Sequence, residues 1–291
     1  MKRFLFIIPL TPPHLLSPLR KDLFSLFISA LQRQAYENWE GLLFGEDEKA
    51  DGKIKYIKTN AVSKEDKFLV AVDYLKSLNH KPDYVVRIDD EDLISPYALK
   101  YASQFDFDCY ADKYHTFYDI TTGKTTQNKR EWLPNTIIHK FEHVLEEIRK
   151  PGDVLINNDN VSLLGLDHDI YWEKYYRDKK ILWSDRSNPI YLRILSPTSI
   201  TSQQENQHKT WNNKAQADFN QYVKGYGPWV YKPLSGFGEY DAELKRIWEK
   251  FSGAPVKKKI SASVFFDYLK YYYEYYSKKA SKIYFSFEKN K

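Results

Sequence analysis

Short apolar runs alternate with helical periodicity through the first hundred residues, and this alternation narrows the fold more than any other feature of the chain. Residues 4–8, Phe-Leu-Phe-Ile-Ile, are continuously apolar and stop at Pro9, the pattern of a strand buried on both faces. Over residues 18–35, Leu19, Leu23, Leu26, Phe27, Ala30 and Leu31 recur three and four apart, which predicts a helix with one core-facing stripe. Residues 39–44 and 53–58 read as two further strands. Ser63, with Asp66 three positions on, caps a helix over residues 63–78 that carries Phe68, Ala71, Val72 and Leu75. A strand at residues 83–88 follows, and Ser95-Pro96 opens another helix to about Gln104.

This order predicts right-handed strand–helix–strand units and a largely parallel sheet, in which ligands gather at the carboxyl ends of the strands. Three of those ends, Pro9-Leu10-Thr11, Gly45-Glu46-Asp47 and Asp89-Asp90-Glu91-Asp92, would share one rim. The second half is less regular. It predicts strands at residues 108–118 and 125–133 around a turn at 121–124, and a helix at 135–149. A further helix opens at Asp167 or Asp169 and runs to about Arg177, before a strand at 190–195.

Of the 291 residues, 42% are hydrophobic and 16% aromatic, enough to offset the entropy of ordering a globular core. The single cysteine, Cys109, excludes an internal disulfide and a Cys-x-x-Cys metal cluster, and fits a reducing compartment. Lys2-Arg3 before an apolar run imitates a secretory leader, but the run ends at Pro9 and reads as a strand. No apolar window is long enough to span a bilayer. The net charge of +5 is concentrated in the tail: residues 257–291 hold nine lysines against Asp267, Glu274 and Glu288, which leaves residues 1–256 close to neutral.

The stretch Arg87-Ile88-Asp89-Asp90-Glu91-Asp92 crowds four carboxylates behind a buried strand. Such acids repel unless a cation, hydrogen bonds or protonation relieves them. A bound divalent ion is the economical solution, and hard oxygen ligands select Mn²⁺ or Mg²⁺ with phosphate and water completing the shell. In an extended segment Asp89 and Glu91 would face one way, Asp90 and Asp92 the other. A solvated acidic turn capping the helix at Ser95-Pro96 is the plainer alternative.

Residues 30–40, Ala-Leu-Gln-Arg-Gln-Ala-Tyr-Glu-Asn-Trp-Glu, resemble the S-x-x-x-Q-x-Y-x-N-W-E segment of family 2-type glycosyltransferases. Pro9-Leu10-Thr11 resembles their opening nucleotide loop, and residues 89–96 their D-x-D segment with its trailing proline. The Arg before four acids, with Leu192-Arg193-Ile194-Leu195 later, is similar to bacterial rhamnosyltransferases. The resemblance is good over residues 3–105, thin to about 200, and absent beyond.

It implies an α/β GT-A fold: a Rossmann-like, mostly parallel mixed sheet flanked by helices, followed here by a helical, aromatic-rich C-terminal extension. Residues 1–115 would form the nucleotide-sugar half, 116–250 the acceptor-binding and catalytic half, and 251–291 the basic aromatic tail. The implied activity is inverting, metal-dependent sugar transfer from a nucleoside-diphosphate donor to an acceptor hydroxyl on a glycan or lipid-linked acceptor, in bacterial surface polysaccharide assembly. Carried over, Pro9, Leu10 and Thr11 border the nucleoside, Glu46 or Asp47 touches base or ribose, and Lys67, with Lys64 nearby, faces the diphosphate. Arg87, Asp89 and Asp90 join the donor site, and Asp89, Glu91 and Asp92 are the metal ligands, although Glu91 stands where the family has Asp. Asp167 or Asp169 is the base. His208 is a weak third ligand.

Residues 264–287 combine eleven aromatics with lysines. Packing on the domain ranks first, contact with an anionic membrane second, and nucleic acid, which is not expected as a partner, a distant third. The expected location is cytoplasmic, at the inner membrane face. Two other classes remain open: a nucleotidyltransferase on a similar sheet, although Pro9-Leu10-Thr11-Pro12-Pro13 lacks the usual Gly-rich loop, and a non-catalytic binding module using the tail.

Overall fold

The computed structural model describes residues 1–46, 49–130, 133–149, 160–165, 169–197, 219, 223–230 and 236–252. The tail at 253–291, with the aromatic-lysine segment, lies outside them, as do Asp47, Asp167 and His208. The main sheet begins with β1 (Phe4–Pro9), β2 (Trp39–Gly45), β3 (Lys49–Asp51), β4 (Ile54–Lys58) and β5 (Tyr84–Arg87). β6 (Leu93–Ile94) leaves it; β7 (Cys109–Asp112) returns; β8 (Tyr114–Asp119) and β9 (Lys124–Lys129) form a hairpin; β10 (Ile137–Lys140) is central again. A small ribbon pairs β11 (Glu147–Arg149) with β12 (Asn160–Ser162), and β13 (Ile181–Ser184) and β14 (Tyr191–Leu195) complete the strands.

The eight-stranded sheet has the order β13-β7-β10-β5-β1-β2-β4-β3, and a four-stranded sheet the order β6-β14-β8-β9. β1, β2, β4 and β5 are mutually parallel, while β10 enters antiparallel between β5 and β7. This is the mixed, helix-flanked sheet that the strand–helix alternation predicts. The alternation of β1 explains its continuous apolarity. Phe4, Phe6 and Ile8 pack into the cluster under α1 (Pro18–Gln32), and Leu5 and Ile7 into the cluster under α2 (Lys64–Ser77), so neither face is free for polar residues. Each helix begins as its sequence dictates: Ser17 Oγ accepts from Arg20 N at 3.2 Å ahead of Pro18, and Ser63 Oγ accepts from Asp66 N at 3.0 Å.

Two sequence expectations change. The helix foreseen over residues 135–149 is instead β10, the four-residue α4 (Phe141–Val144) and β11. Ile137 and Ile138 are fully buried between two strands, a position where β-branched side chains outweigh the helical spacing. The helix foreseen from Ser95 begins later, as α3 (Ala98–Ala102), after a turn at Pro96-Tyr97. α5 (Asp169–Tyr176) covers the β7–β10 region through Trp172 and Tyr176, and α6 (Asp241–Ser252) lays Leu244 and Ile247 on the core beneath α1. Among the described residues no helix is long and apolar enough to cross a membrane.

The two sheets are joined at Asp112, the last residue of β7. Its Oδ1 accepts from Ile190 N at 2.8 Å and from the Ser184 hydroxyl, and Oδ2 accepts from Tyr191 N at 3.1 Å, so one buried carboxylate ties β7, β13 and the start of β14. Burial outweighs these donors and pushes the Asp112 carboxyl up to about 7. The unfolded chain releases this proton near pH 4, so between about pH 4 and 7 the folded state binds more protons and stability falls as pH rises. We expect a fall of up to roughly 4 kcal/mol across that window from this group, flat above it. Urea denaturation across the same pH range checks this, and Asp112→Asn, which cannot ionise, should flatten that part of the profile.

Candidate functional site

The carboxyl ends of β1, β2, β4 and β5 lie side by side because the strands are parallel and in register. Above the first three is a cavity of about 660 Å³. Leu10, Thr11, Pro12, Pro13 and Leu16 line one side, and Gly45, Glu46, Tyr56 and residues 58–62 the other, with Lys67 and Asp90 among its walls. Gly45 permits the close approach of the two loops: a Cβ there would stand 2.9 Å from Leu10 Cδ1 and 3.2 Å from Leu10 Cβ, so Leu10 would have to shift. The opening loop is pinned to β2 by Leu10 N donating to Phe44 O at 3.0 Å, and to α2 by Lys67 Nζ donating to Leu10 O at 2.7 Å.

The acid loop occupies residues 88–92, where the chain crosses from β5 in the main sheet to β6 in the second sheet. It is not extended. Asp92 N donates to Asp89 O at 3.2 Å and closes a turn at Asp90-Glu91, so the expected two-and-two alternation of the carboxylates gives way to a different division. Asp90 points to the loop after β1, its Oδ2 accepting from Thr11 N at 2.6 Å and its Oδ1 from Thr11 Oγ1 at 3.0 Å. Asp90 and Glu91 both face the buried guanidinium of Arg20, with Nη2 at 3.1 Å from Asp90 Oδ1 and Nη1 at 3.3 Å from Glu91 Oε2. Half-buried Asp89 pairs with Lys64 Nζ at 2.6 Å. Asp92 Oδ1 accepts from Ile194 N of β14 at 2.9 Å.

The electrostatics follow this division. Burial opposes ionisation of Asp89, but Lys64 and Arg87 outweigh it and hold the carboxyl well below the usual range. Glu91 is pushed up to about 7 by burial, which Arg20 opposes and Asp90 and Asp89 reinforce. Burial and the neighbouring Asp89 also raise Asp92. Glu91 Oε2 is buried and accepts no hydrogen bond, its Arg20 contact being an ion pair. An orphaned, crowded carboxylate oxygen beside Asp89 fits a divalent cation.

The other sequence candidates are placed as follows. Leu10, Thr11, Glu46, Lys67 and Asp90 share the cavity wall, and Pro9 ends β1 behind it. Arg87 lies on the α2 side of the sheet, its guanidinium 4.1 Å from the Phe68 ring centroid and 5.0 Å from that of Trp172, with Nη1 donating to Leu164 O at 3.0 Å. Asp169 begins α5; its side chain, like Asp47 and Asp167, is outside the described residues. Sequence reading passed over Arg20 and the segment 58–62. Arg20 left a signal, a charge on the stripe that continues through Leu23, Phe27 and Ala30.

A second group able to hold a divalent ion lies at the opposite edge of the sheet. Asp108, Glu142 and His143 bring potential ligand atoms within 4.8 Å of one another, with His143 buried, Asp108 half-buried and Glu142 exposed. It is separate from the acid loop, since Lys140 pairs with Tyr84 at the start of β5. His143 is already engaged there, Nε2 with Asp108 Oδ1 at 3.0 Å and Nδ1 with Tyr175 OH at 2.7 Å.

No protein-family model and no curated protein matches the chain. Solved structures do. S. aureus TarS 1-349 aligns at TM-score 0.41 with 13% identity over 89% of this chain and 76% of that one. The inositol-1-phosphate CTP transferase from T. maritima aligns at 0.40 with 13% identity, over 78% and 98%. The glycosyltransferase GlyE of Streptococcus pneumoniae aligns at 0.36 with 8% identity, over 89% and 66%.

The unequal burial of the two acid pairs yields a prediction. Asp90→Ala removes one of the two buried carboxylates facing Arg20, together with the acceptor of Thr11 N, and should lower unfolding free energy by roughly 3–5 kcal/mol. Asp89→Ala breaks a pair that solvent reaches and should cost about 1 kcal/mol or less. Urea midpoints of the two variants against the parent decide it.

Proposed function

We propose that the chain is a glycosyltransferase that moves a sugar from a nucleoside-diphosphate donor to an acceptor hydroxyl, with inversion. The observation that carries this reading is the shared wall: Asp90 lines the cavity above β1, β2 and β4 and also belongs to the acid loop hydrogen-bonded to Thr11. A nucleoside in that cavity would place its diphosphate toward the acid loop and the lysines of α2. Leu10, Pro12, Pro13 and Tyr56 offer apolar surface for base and ribose, and Glu46, Thr59 and Asn60 offer polar groups. All of this lining falls within residues 1–115, the proposed donor half, and 116–250 would form the acceptor half.

Mn²⁺ or Mg²⁺ would be held by Asp89 and Glu91, with Asp92 as the third candidate. When bound, such an ion offsets the charge developing on the leaving diphosphate. Lys64 and Lys67 bring fixed positive charge to the same region. The acceptor hydroxyl attacks the anomeric carbon as the bond to the diphosphate oxygen breaks, and a carboxylate takes the hydroxyl proton. Asp167 and Asp169 are the candidates for that base. A glycan or lipid-linked acceptor, and contact of the tail with an anionic membrane surface, belong to the same proposal. The resemblance to rhamnosyltransferases makes a deoxyhexose donor the first to try.

A thermal-shift screen of nucleoside diphosphates and nucleotide sugars, with and without Mn²⁺, tests the reading. A ligand at 100 times its Kd stabilises by about 2.7 kcal/mol, a rise of several degrees. We expect a Mn²⁺-dependent rise with at least one of them, and Glu91→Ala should remove the metal-dependent part. Absence of any such rise across the screen sinks the proposal.

A further inference from the structure

Arg20 is the one charged side chain on the buried stripe of α1, between Leu19 and Leu23, and only 3% of it is exposed. A guanidinium in such a place costs several kcal/mol of lost hydration, and leucine or methionine would fill the stripe without that cost. Its three nitrogens go to three different groups: Nε donates to Thr11 Oγ1 at 2.6 Å, Nη2 donates to Asp90 Oδ1 at 3.1 Å, and Nη1 stands 3.3 Å from Glu91 Oε2. Thr11 and Asp90 line the cavity, whereas Arg20 stands behind them and is not part of its wall.

We propose that Arg20 is a positioning residue that joins the nucleotide loop to the acid loop and neutralises two carboxylates behind the cavity, so that the pocket accepts a diphosphate as well as a nucleoside. The inference rests on the nucleotide-sugar reading above. Without the fork, Thr11 Oγ1 loses its donor, and Asp90 and Glu91 both present uncompensated charge toward the region where an anionic ligand would lie. The loss therefore falls on the phosphate-bearing part of the ligand. Lysine cannot replace the fork, because a single ammonium on a flexible stem does not reach three acceptors at fixed angles.

Titration calorimetry of the full chain with uridine, guanosine and thymidine and with their 5′-diphosphates, in the absence and presence of Mn²⁺, separates the roles. For Arg20→Met we expect diphosphate affinity to fall about 10- to 100-fold, the range for partners that orient ligand-binding groups, with nucleoside affinity changed about twofold or less. Arg20→Lys should fall between variant and parent. Equal weakening of nucleoside and diphosphate, or no weakening, overturns the inference while leaving the functional reading intact. A parent chain that binds none of the six overturns both. If Arg20→Met does not fold, Arg20→Gln, which keeps an amide donor behind the cavity but no charge, replaces it. It should show the same selective loss for the diphosphate, and equal weakening there has the same meaning.

Discussion

The buried contact among Asp90, Thr11 and Arg20 is the constraint around which the rim of the sheet is organised. Thr11 follows β1, Asp90 follows β5 and Arg20 belongs to α1, so the ends of two paired strands and the helix packed on them are held in one network. The Asp90 carboxylate accepts from a backbone amide, a hydroxyl and a guanidinium, which satisfies it although it is buried. The same network fixes the loop at Leu10-Thr11, which forms one wall of the cavity beside it. Lys67 reinforces the same geometry from the opposite helix by holding the Leu10 carbonyl.

Four neighbouring carboxylates persist here because each is met by a cation or a donor, Asp90 and Glu91 sharing Arg20. Asp90 is spent on structure, Asp92 on the backbone of β14 and Asp89 on Lys64, while Glu91 keeps a buried oxygen without a hydrogen bond. Repulsion is thus relieved at Asp90 and Glu91 by their shared guanidinium, at Asp89 by Lys64 and at Asp92 by the Ile194 amide, while one Glu91 oxygen still lacks a hydrogen bond. The group at Asp108 and His143 contrasts with this. There every ring nitrogen has a partner, and Lys180 N also donates to Asp108 Oδ2 at 2.8 Å, so the polar demand closes within the protein and joins β13 to β7.

The first half of the fold was legible because its signals are local. The continuous apolarity of β1, the serine caps of α1 and α2 and the stripe spacing each follow from one periodicity or one hydrogen bond. β10 was illegible for the opposite reason: Ile137-Ile138 fits either element until two strand edges are available to bury it, and those edges come from residues 84–87 and 109–110. The acid loop was legible as a place and misread as a shape, since its turn is closed by a backbone bond that leaves no mark on residue type. Arg20 and Lys67 were written into the sequence as charges on buried stripes, but what they bind is set by loops brought together only in the folded chain.

The position of the acids at the crossover between sheets has a mechanical consequence. Five residues, 88–92, must carry the chain from β5 to β6, and β6 pairs antiparallel with β14. Asp90 fastens one end of this link to the main sheet through Thr11, and Asp92 fastens the other to the second sheet through Ile194. Between the anchors stands Glu91, and Asp89 sits just before them. A cation engaging those two residues would therefore act on a segment whose ends belong to different sheets. Asp112 ties the same two sheets by hydrogen bonds to Ile190 and Tyr191, just ahead of the β14 residue that Asp92 holds. The crossover is therefore bracketed by two ties between the sheets, Asp92 to Ile194 and Asp112 to Ile190 and Tyr191, which fix the acid loop relative to both.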